Sequence, residues 1–200
     1  NEFDTFRRIL PLVFANLRVV WSSKVHMCDA SFWGQGICAA EVSSVATEKA
    51  GRVNERWRWS RDEEHVTLRS CVDVTNDTVP PGSSEFSLPE ALMNASYHVV
   101  SSKAWKRPDS IPVLEGRAVV WVVKHICRTS SAHGQGHVVL SDSTSAILAL
   151  SKGRSSNYQM NRVCRSVAAH CLGCMLKLRM RWVASEYNCA DAPSRGICQA

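Results

Sequence analysis

Apolar residues fall along the chain in short blocks with two spacings, and these predict strands alternating with helices. The clearest block is Val138 to Leu150. Its β-branched run Val138-Val139-Leu140 predicts a buried strand, and Ala146 to Leu150 begin a helix that Ser143 or Thr144 can cap. Asp142 stands where strand gives way to helix. Open α/β sheets place ligands there, although an Asp at such a point also serves as a plain turn or cap residue. Lys24 to Ser31 alternates, with Val25, Met27 and Asp29 on one face. An acid on an apolar strand face is costly unless a cation meets it, either a metal ion or a salt-bridge partner. Phe32-Trp33-Gly34-Gln35-Gly36 predicts a turn, and Ile37 to Val42 the returning strand of a hairpin. Tyr97 to Val100 predicts a third strand.

Ser110-Ile111-Pro112 predicts a helix start, with the helix running over 113–128. Leu114, Ala118, Trp121 or Val122, and His125 recur at its spacing. Glu115 is expected in the first turn, where the macrodipole alone would favour an anion. Gly116 inside this helix costs about 1 kcal/mol relative to Ala, a sign of close backbone approach. A Gly-containing loop over 133–136 leads to the Val138 strand. Asn157 to Ala169 predicts a helix carrying Arg162 and Arg165. Met175 to Val183 predicts a strand with an apolar face and a cationic face of Lys177, Arg179 and Arg181. Asp191 begins a short terminal helix or turn. The order is β-β-(insert)-β-α-β-α-α-β-α, an α/β chain with a mixed sheet flanked by helices. Residues 43–95 are the least legible part. Within them Arg56-Trp57-Arg58-Trp59 fits either a nucleic-acid stacking patch or an amphipathic edge strand, and 75–89 reads as loop.

Two hundred residues suit one ordinary domain with an appendage. The net charge of +6 is uneven: residues 101–200 hold 14 Lys/Arg against 5 Asp/Glu, while the first half is net −3. Such a surface suits a polyanion such as nucleic acid, or is a solvated basic face without a partner. Nine cysteines, several in apolar runs, lack a disulfide-like framework and point to a reducing, intracellular setting rather than secretion. His170 with Cys171-Leu-Gly-Cys174 has zinc-like spacing but no second Cys pair, and it reads better as a helix end and turn. Arg7-Arg8 and the apolar stretch to residue 17 imitate a signal peptide, but acids precede the arginines and no small-residue cleavage site follows. Residues 1–21 are expected to be the tail of an upstream region or a packing segment. No run reaches membrane-span length.

The carboxylates Asp29, Glu115, Asp142 and Asp191 each stand at a predicted strand or helix end. They lie in His26-Met-Cys-Asp29-Ala-Ser, Val113-Leu-Glu115-Gly-Arg-Ala118, Leu140-Ser-Asp142 and Trp182-Val-Ala-Ser-Glu-Tyr-Asn188-Cys-Ala-Asp191-Ala-Pro-Ser-Arg195. In this order and on these elements they resemble the ribonuclease H domain of retroelement reverse transcriptases, most closely the DIRS-like, tyrosine-recombinase-encoding kind. The resemblance spans about residues 20 to 196. It implies a ribonuclease H-like mixed five-stranded sheet flanked by helices, with an insert between the second and third strands. The domain would cover 22–200 with its insert at about 43–95, and residues 1–21 would belong to a reverse transcriptase or connection region. Asp29, Glu115, Asp142 and Asp191 would be the catalytic, metal-binding carboxylates. There are departures. The gap from Asp29 to Glu115 is 86 residues, Ser185 and Glu186 occupy the loop where many relatives carry a His, Ser143 replaces a common Asn, and Cys189 a common Pro. None removes a metal ligand.

The implied activity is Mg²⁺-dependent endonucleolytic hydrolysis of the RNA strand of an RNA–DNA hybrid. Two Mg²⁺ ions about 4 Å apart can activate a water and stabilise the leaving 3′ oxygen, and Mn²⁺ can substitute. Hard cations take oxygen ligands, hence carboxylates rather than His or Cys. Lys152, Arg154, Arg162 and Arg165 are the candidates for holding the phosphate backbone. Two other readings stand beside this one: a non-catalytic module of the same fold that grips the hybrid for a neighbouring polymerase, and a nuclease of the same fold that cuts DNA. Adjacent polymerase aspartates are absent, so DNA synthesis is not assigned to this chain.

Overall fold

Two kinds of strand build the sheet: central ones buried on both faces, and more exposed ones at its edges. The computed structural model describes residues 2–10, 18–55, 59–61, 83–85 and 88–197. After a helix α1 (Glu2–Ile9), strands β1 (Lys24–Ala30) and β2 (Gly34–Glu41) form the expected antiparallel hairpin. The insert supplies α2 (Ser44–Arg52), the short antiparallel pair β3 (Trp59–Arg61) and β4 (Ser83–Glu85), and α3 (Glu90–Met93). Then come β5 (His98–Ala104), α4 (Ile111–Cys127), β6 (Gly136–Ser141), α5 (Thr144–Lys152), α6 (Tyr158–Gly173), β7 (Lys177–Trp182) and α7 (Asp191–Ser194). The main sheet has the order β5-β2-β1-β6-β7, with β1, β6 and β7 parallel and β2 and β5 antiparallel to their neighbours. It is the mixed five-stranded sheet flanked by helices that the pattern predicts. No helix among the described residues is long and apolar enough to cross a membrane.

One face of the sheet meets α4, whose Leu114, Ala118, Val119, Val122 and Val123 pack on Cys28, Ile37 and Val139. Val122 rather than Trp121 is the inward residue, since Trp121 is exposed. Gly116 is the close approach expected: a Cβ there would lie 2.9 Å from Val163 of α6. The other face buries Val25, Met27, Val138 and Leu140 with Trp21, Ala50 of α2 and Leu92 of α3. Trp21, the last residue of the expected upstream tail, is thus part of the core.

Four expectations need correction. Residues 34–36 belong to β2, and the turn is Ser31 to Trp33, where the Ser31 hydroxyl accepts from the Trp33 and Gly34 amides. Both faces of β1, not one, are buried, because helices cover the sheet on both sides. Glu115 lies in the second turn of α4, not the first. The cationic face of β7 is not a solvent-facing stripe. Arg181 is 1% exposed and donates to Glu55 (2.7 Å) and to the Ala50 carbonyl (2.8 Å); Arg179 donates to the Gly51 carbonyl (3.1 Å), and the Lys177 ammonium sits over the Trp21 ring. Two arginines therefore satisfy carbonyls at the C-terminal end of α2, where cations are favoured. In the Arg-Trp patch only Trp59 is described; 56–58 lie outside the described residues, as do 11–17 of the signal-like stretch and most of the 75–89 loop.

Replacing Arg181 by Leu removes the guanidinium that the buried Glu55 carboxylate pairs with. Stability to urea is expected to fall by about 3–5 kcal/mol. A loss below about 1 kcal/mol would show that the pair does not hold α2 on the sheet.

Candidate metal centre

Asp29, Glu115 and Asp142 come from three elements and meet at one end of the sheet. Asp29 is the penultimate residue of β1 and 5% exposed. Asp142 directly follows β6. Parallel pairing of His26 with Val139 and Met27 with Leu140 fixes a register that, carried on, aligns Asp29 with Asp142. Both neighbours of Asp142 are fastened: the Ser143 amide donates to the Ser141 hydroxyl (3.2 Å), and the Ser143 side chain caps α5. The Asp142 carbonyl accepts from the Trp182 indole (3.1 Å). Glu115, 7% exposed, reaches in from α4. The start of that helix is held by Asp109, which accepts from the Ser110 amide and pairs with Arg117.

Oxygens of these three carboxylates lie within 4.8 Å of one another. No salt bridge reaches any of them among the described residues, so the salt-bridge alternative for Asp29 has no partner there. One oxygen each of Glu115 (Oε2) and Asp142 (Oδ1) is buried without a hydrogen bond among the described residues. Burial, and then the charges of Asp29 and Asp142, raise the Glu115 carboxyl from its ordinary value to about 9. Asp29 rises to about 6, first through burial and then through Asp142 and Asp191, against the opposing bonds from Ser194 and the Ala30 amide. Crowded, desolvated acids without a cation hold their protons. Three hard oxygen donors with two orphaned lone-pair sites suit a Mg²⁺-class ion, not a soft metal.

Asp191 is not part of this group. It opens α7, its field reaches Asp29 and Glu115, and its side chain is held by Arg195 through Nε (3.0 and 3.1 Å) and a terminal nitrogen (2.8 Å). The structure thus brings three of the four expected carboxylates together and leaves the fourth at the rim in an exposed ion pair. Gly36 allows α7 to lie against β2; a Cβ there would stand 2.7 Å from the Ser194 amide.

The residues around this end carry functions that the sequence reading did not assign. Ser194 is fully buried, bonds Asp29 and donates its hydroxyl to the Asp191 carbonyl. Ser31 donates to the Ser194 carbonyl and Ser102 to that of Pro193, so α7 is stapled to β1 and β5. The signal was their spacing: Ser31 lies two residues after Asp29, and Ser194 three after Asp191. Lys152, Arg154, Arg162 and Arg165 are exposed and form no ion pair among the described residues. His170 turns its ring back onto the Ser166 carbonyl, and His170, Cys171 and Cys174 form no three-donor group. Every described cysteine is free.

No family model matches the sequence, and no curated protein matches it. Solved structures similar to the chain include a ribonuclease H1, LC11-RNase H1, isolated from compost by a metagenomic approach. It is 13% identical, with 88% of this chain and 95% of that one covered and a TM-score of 0.49. Another is the N-terminal RNase H domain of a Mycobacterium tuberculosis protein, solved as a fusion with maltose-binding protein. It is also 13% identical, with 87% and 90% covered and a TM-score of 0.40.

The raised Glu115 carboxyl binds a proton in the native state that the unfolded chain has lost above about pH 5, while the buried histidines, held low, are neutral in both states above about pH 7. Without divalent ions, stability should therefore fall as pH rises from about 7 towards 9, by on the order of 1–3 kcal/mol. Glu115→Gln or added Mg²⁺ should flatten that slope in denaturation curves. A stability that rises over the same window would contradict the crowding.

Proposed function

We propose that this chain is a metal-dependent endonuclease that hydrolyses the RNA strand of RNA–DNA hybrids. The observation that carries the reading is the meeting of three carboxylates from three elements, with no salt bridge to any of them and two oxygens without a hydrogen bond among the described residues. Asp29, Glu115 and Asp142 would hold the ions, and Asp191 would join them after release from Arg195. Bound Mg²⁺, as two ions in the established chemistry of such sites, supplies the charge that activates a water and stabilises the leaving 3′ oxygen, with Mn²⁺ as a substitute.

The chain's own residues do the rest. Glu115 keeps its proton at neutral pH while the site is metal-free and gives it up when a cation arrives. Ser194 and the Ala30 amide orient Asp29. Lys152, Arg154, Arg162 and Arg165 offer exposed charge to phosphates at the ends and outer face of α5 and α6. The motif resemblance supports a place in a DIRS-like retrotransposon polyprotein, inside the cell. In that setting residues 1–21 follow a reverse transcriptase, and residues 22–200 form the nuclease with its insert at about 43–95. One observation favours the non-catalytic reading, in which the module only grips the hybrid: the hold of Arg195 on Asp191.

Asp142→Asn should lower cleavage of a labelled hybrid in Mg²⁺ by about 10³-fold or more while hybrid binding stays within a few-fold. An unchanged rate would remove Asp142 from the chemistry. Wild-type protein that binds the hybrid tightly without cutting it is the non-catalytic module, and preferential cutting of duplex DNA identifies the DNA nuclease. Glu substitutions at Arg162 and Arg165 should weaken binding across all sequences and shallow the salt dependence by about one unit of slope per lost phosphate contact. A salt slope unchanged in both variants would place the nucleic acid elsewhere.

A further inference from the structure

The end of the sheet remote from the acids holds a second cluster of metal-ligating side chains. His26 near the start of β1, His137 near the start of β6 and His125 in the last turns of α4 line one cavity of about 430 Å³. His26 is 2% exposed, and neither of its ring nitrogens has a hydrogen-bond partner among the described residues. His137 is 1% exposed, with Nε2 lying 2.9 Å from the Ala132 carbonyl oxygen. A carbonyl only accepts, so Nε2 carries the proton and Nδ1, buried and without a partner among the described residues, keeps a free lone pair. A backbone carbonyl that fixes the tautomer and aims the other nitrogen is how proteins prepare a ligating His.

We propose that this cavity binds a divalent transition-metal ion of the zinc class through the imidazoles of His26, His125 and His137. Buried nitrogens without partners are costly, each by about 1–3 kcal/mol, and an ion bound here would relieve that cost at one nitrogen each of His26 and His137, with the half-buried His125 as a third donor. The His26 and His125 ring centroids are 5.8 Å apart with planes at 70°. Two imidazoles bound to one tetrahedral zinc at Zn–N distances of about 2.0–2.1 Å have centroids roughly 5 Å apart, so these two are close to a shared-ion arrangement. The three rings do not yet converge as the acids do, and ligation turns at least one of them into the space the cavity provides.

An anion fits less well, because the His137 lone pair would face it. Protonating that ring to reverse the polarity is opposed by burial, which lowers His137 and holds His26 down at about 3. Neutral imidazoles are the ligating form. Lys24, which lines the cavity, is offset by Glu41 at 3.5 Å, a carboxylate that also lines it. The proposed ion would pin β1, β6 and α4 together at the end opposite the acids.

The test uses the full chain in excess Mg²⁺, which occupies the carboxylates, titrated with Zn²⁺ and with Co²⁺ as a spectroscopic probe. One equivalent should bind and give the visible bands of a tetrahedral nitrogen- and oxygen-ligated cobalt, without thiolate charge transfer. Long-range proton–nitrogen spectra should show His137 Nδ1 shifting on Zn²⁺ addition. His26→Gln and His137→Gln should each weaken binding by about 100-fold. His125→Gln, at a partly exposed helix position, should weaken it as well and covers the case in which the buried variants fail to fold. Zn²⁺ should raise Tm by several degrees in wild type only. Binding that survives His125→Gln unchanged, a thiolate band, or imidazole nitrogens unmoved by Zn²⁺ would overturn the site.

Discussion

Parallel pairing of β1 with β6 is the constraint on which the rest depends. The two strands run together through the core, buried on both faces, and their register is set by which apolar residues can face the α4 layer and which the α2 layer. Slipping one strand by a residue would exchange those faces. The same register fixes what stands at either end: Asp29 level with Asp142 at the carboxyl end, and Lys24 level with His137 at the amino end. Core packing thus sets the spacing of both polar clusters.

That dependence explains why much of the centre is legible in the sequence. β1, β6 and α4 carry strong apolar periodicity, and Asp29, Glu115 and Asp142 sit at boundaries that the periodicity defines. The insert is less legible for a physical reason. Helix α2 buries Thr47, Ala50 and Gly51, small residues that give no hydrophobic stripe, and its only local sign is the Ser43 cap. Gly34-Gln35-Gly36 reads as a turn because glycine usually marks one. Here the missing side chains let β5 and α7 come close to β2. β7 reads as half cationic because alternation cannot tell solvent from a buried acid, and Glu55 lies 126 residues from Arg181.

The placement of Asp191 could not be read from its motif either. Spacing puts it at the start of α7 correctly, but Arg195, four residues later and just past the end of that short helix, competes for the carboxylate. The pair is exposed and solvent-screened, so it is weak. Divalent ions held by Asp29, Glu115 and Asp142 would outweigh it, since their field is larger and less screened. Under the proposed function Arg195 would be a placeholder for Asp191 rather than a lock on it.

The two ends of the sheet differ in ligand chemistry, and that difference sorts the ions they would take. Carboxylate oxygens favour a hard, strongly hydrated ion, while buried imidazoles favour a borderline-soft one. Helix α4 links them: Glu115 and His125 are ten residues apart, about 15 Å along a helix. An ion at the imidazole end would fix the C-terminal turns of that helix against β1 and β6 without entering the carboxylate group. It would thereby hold the lever that carries Glu115, while the acids stay free to exchange Mg²⁺.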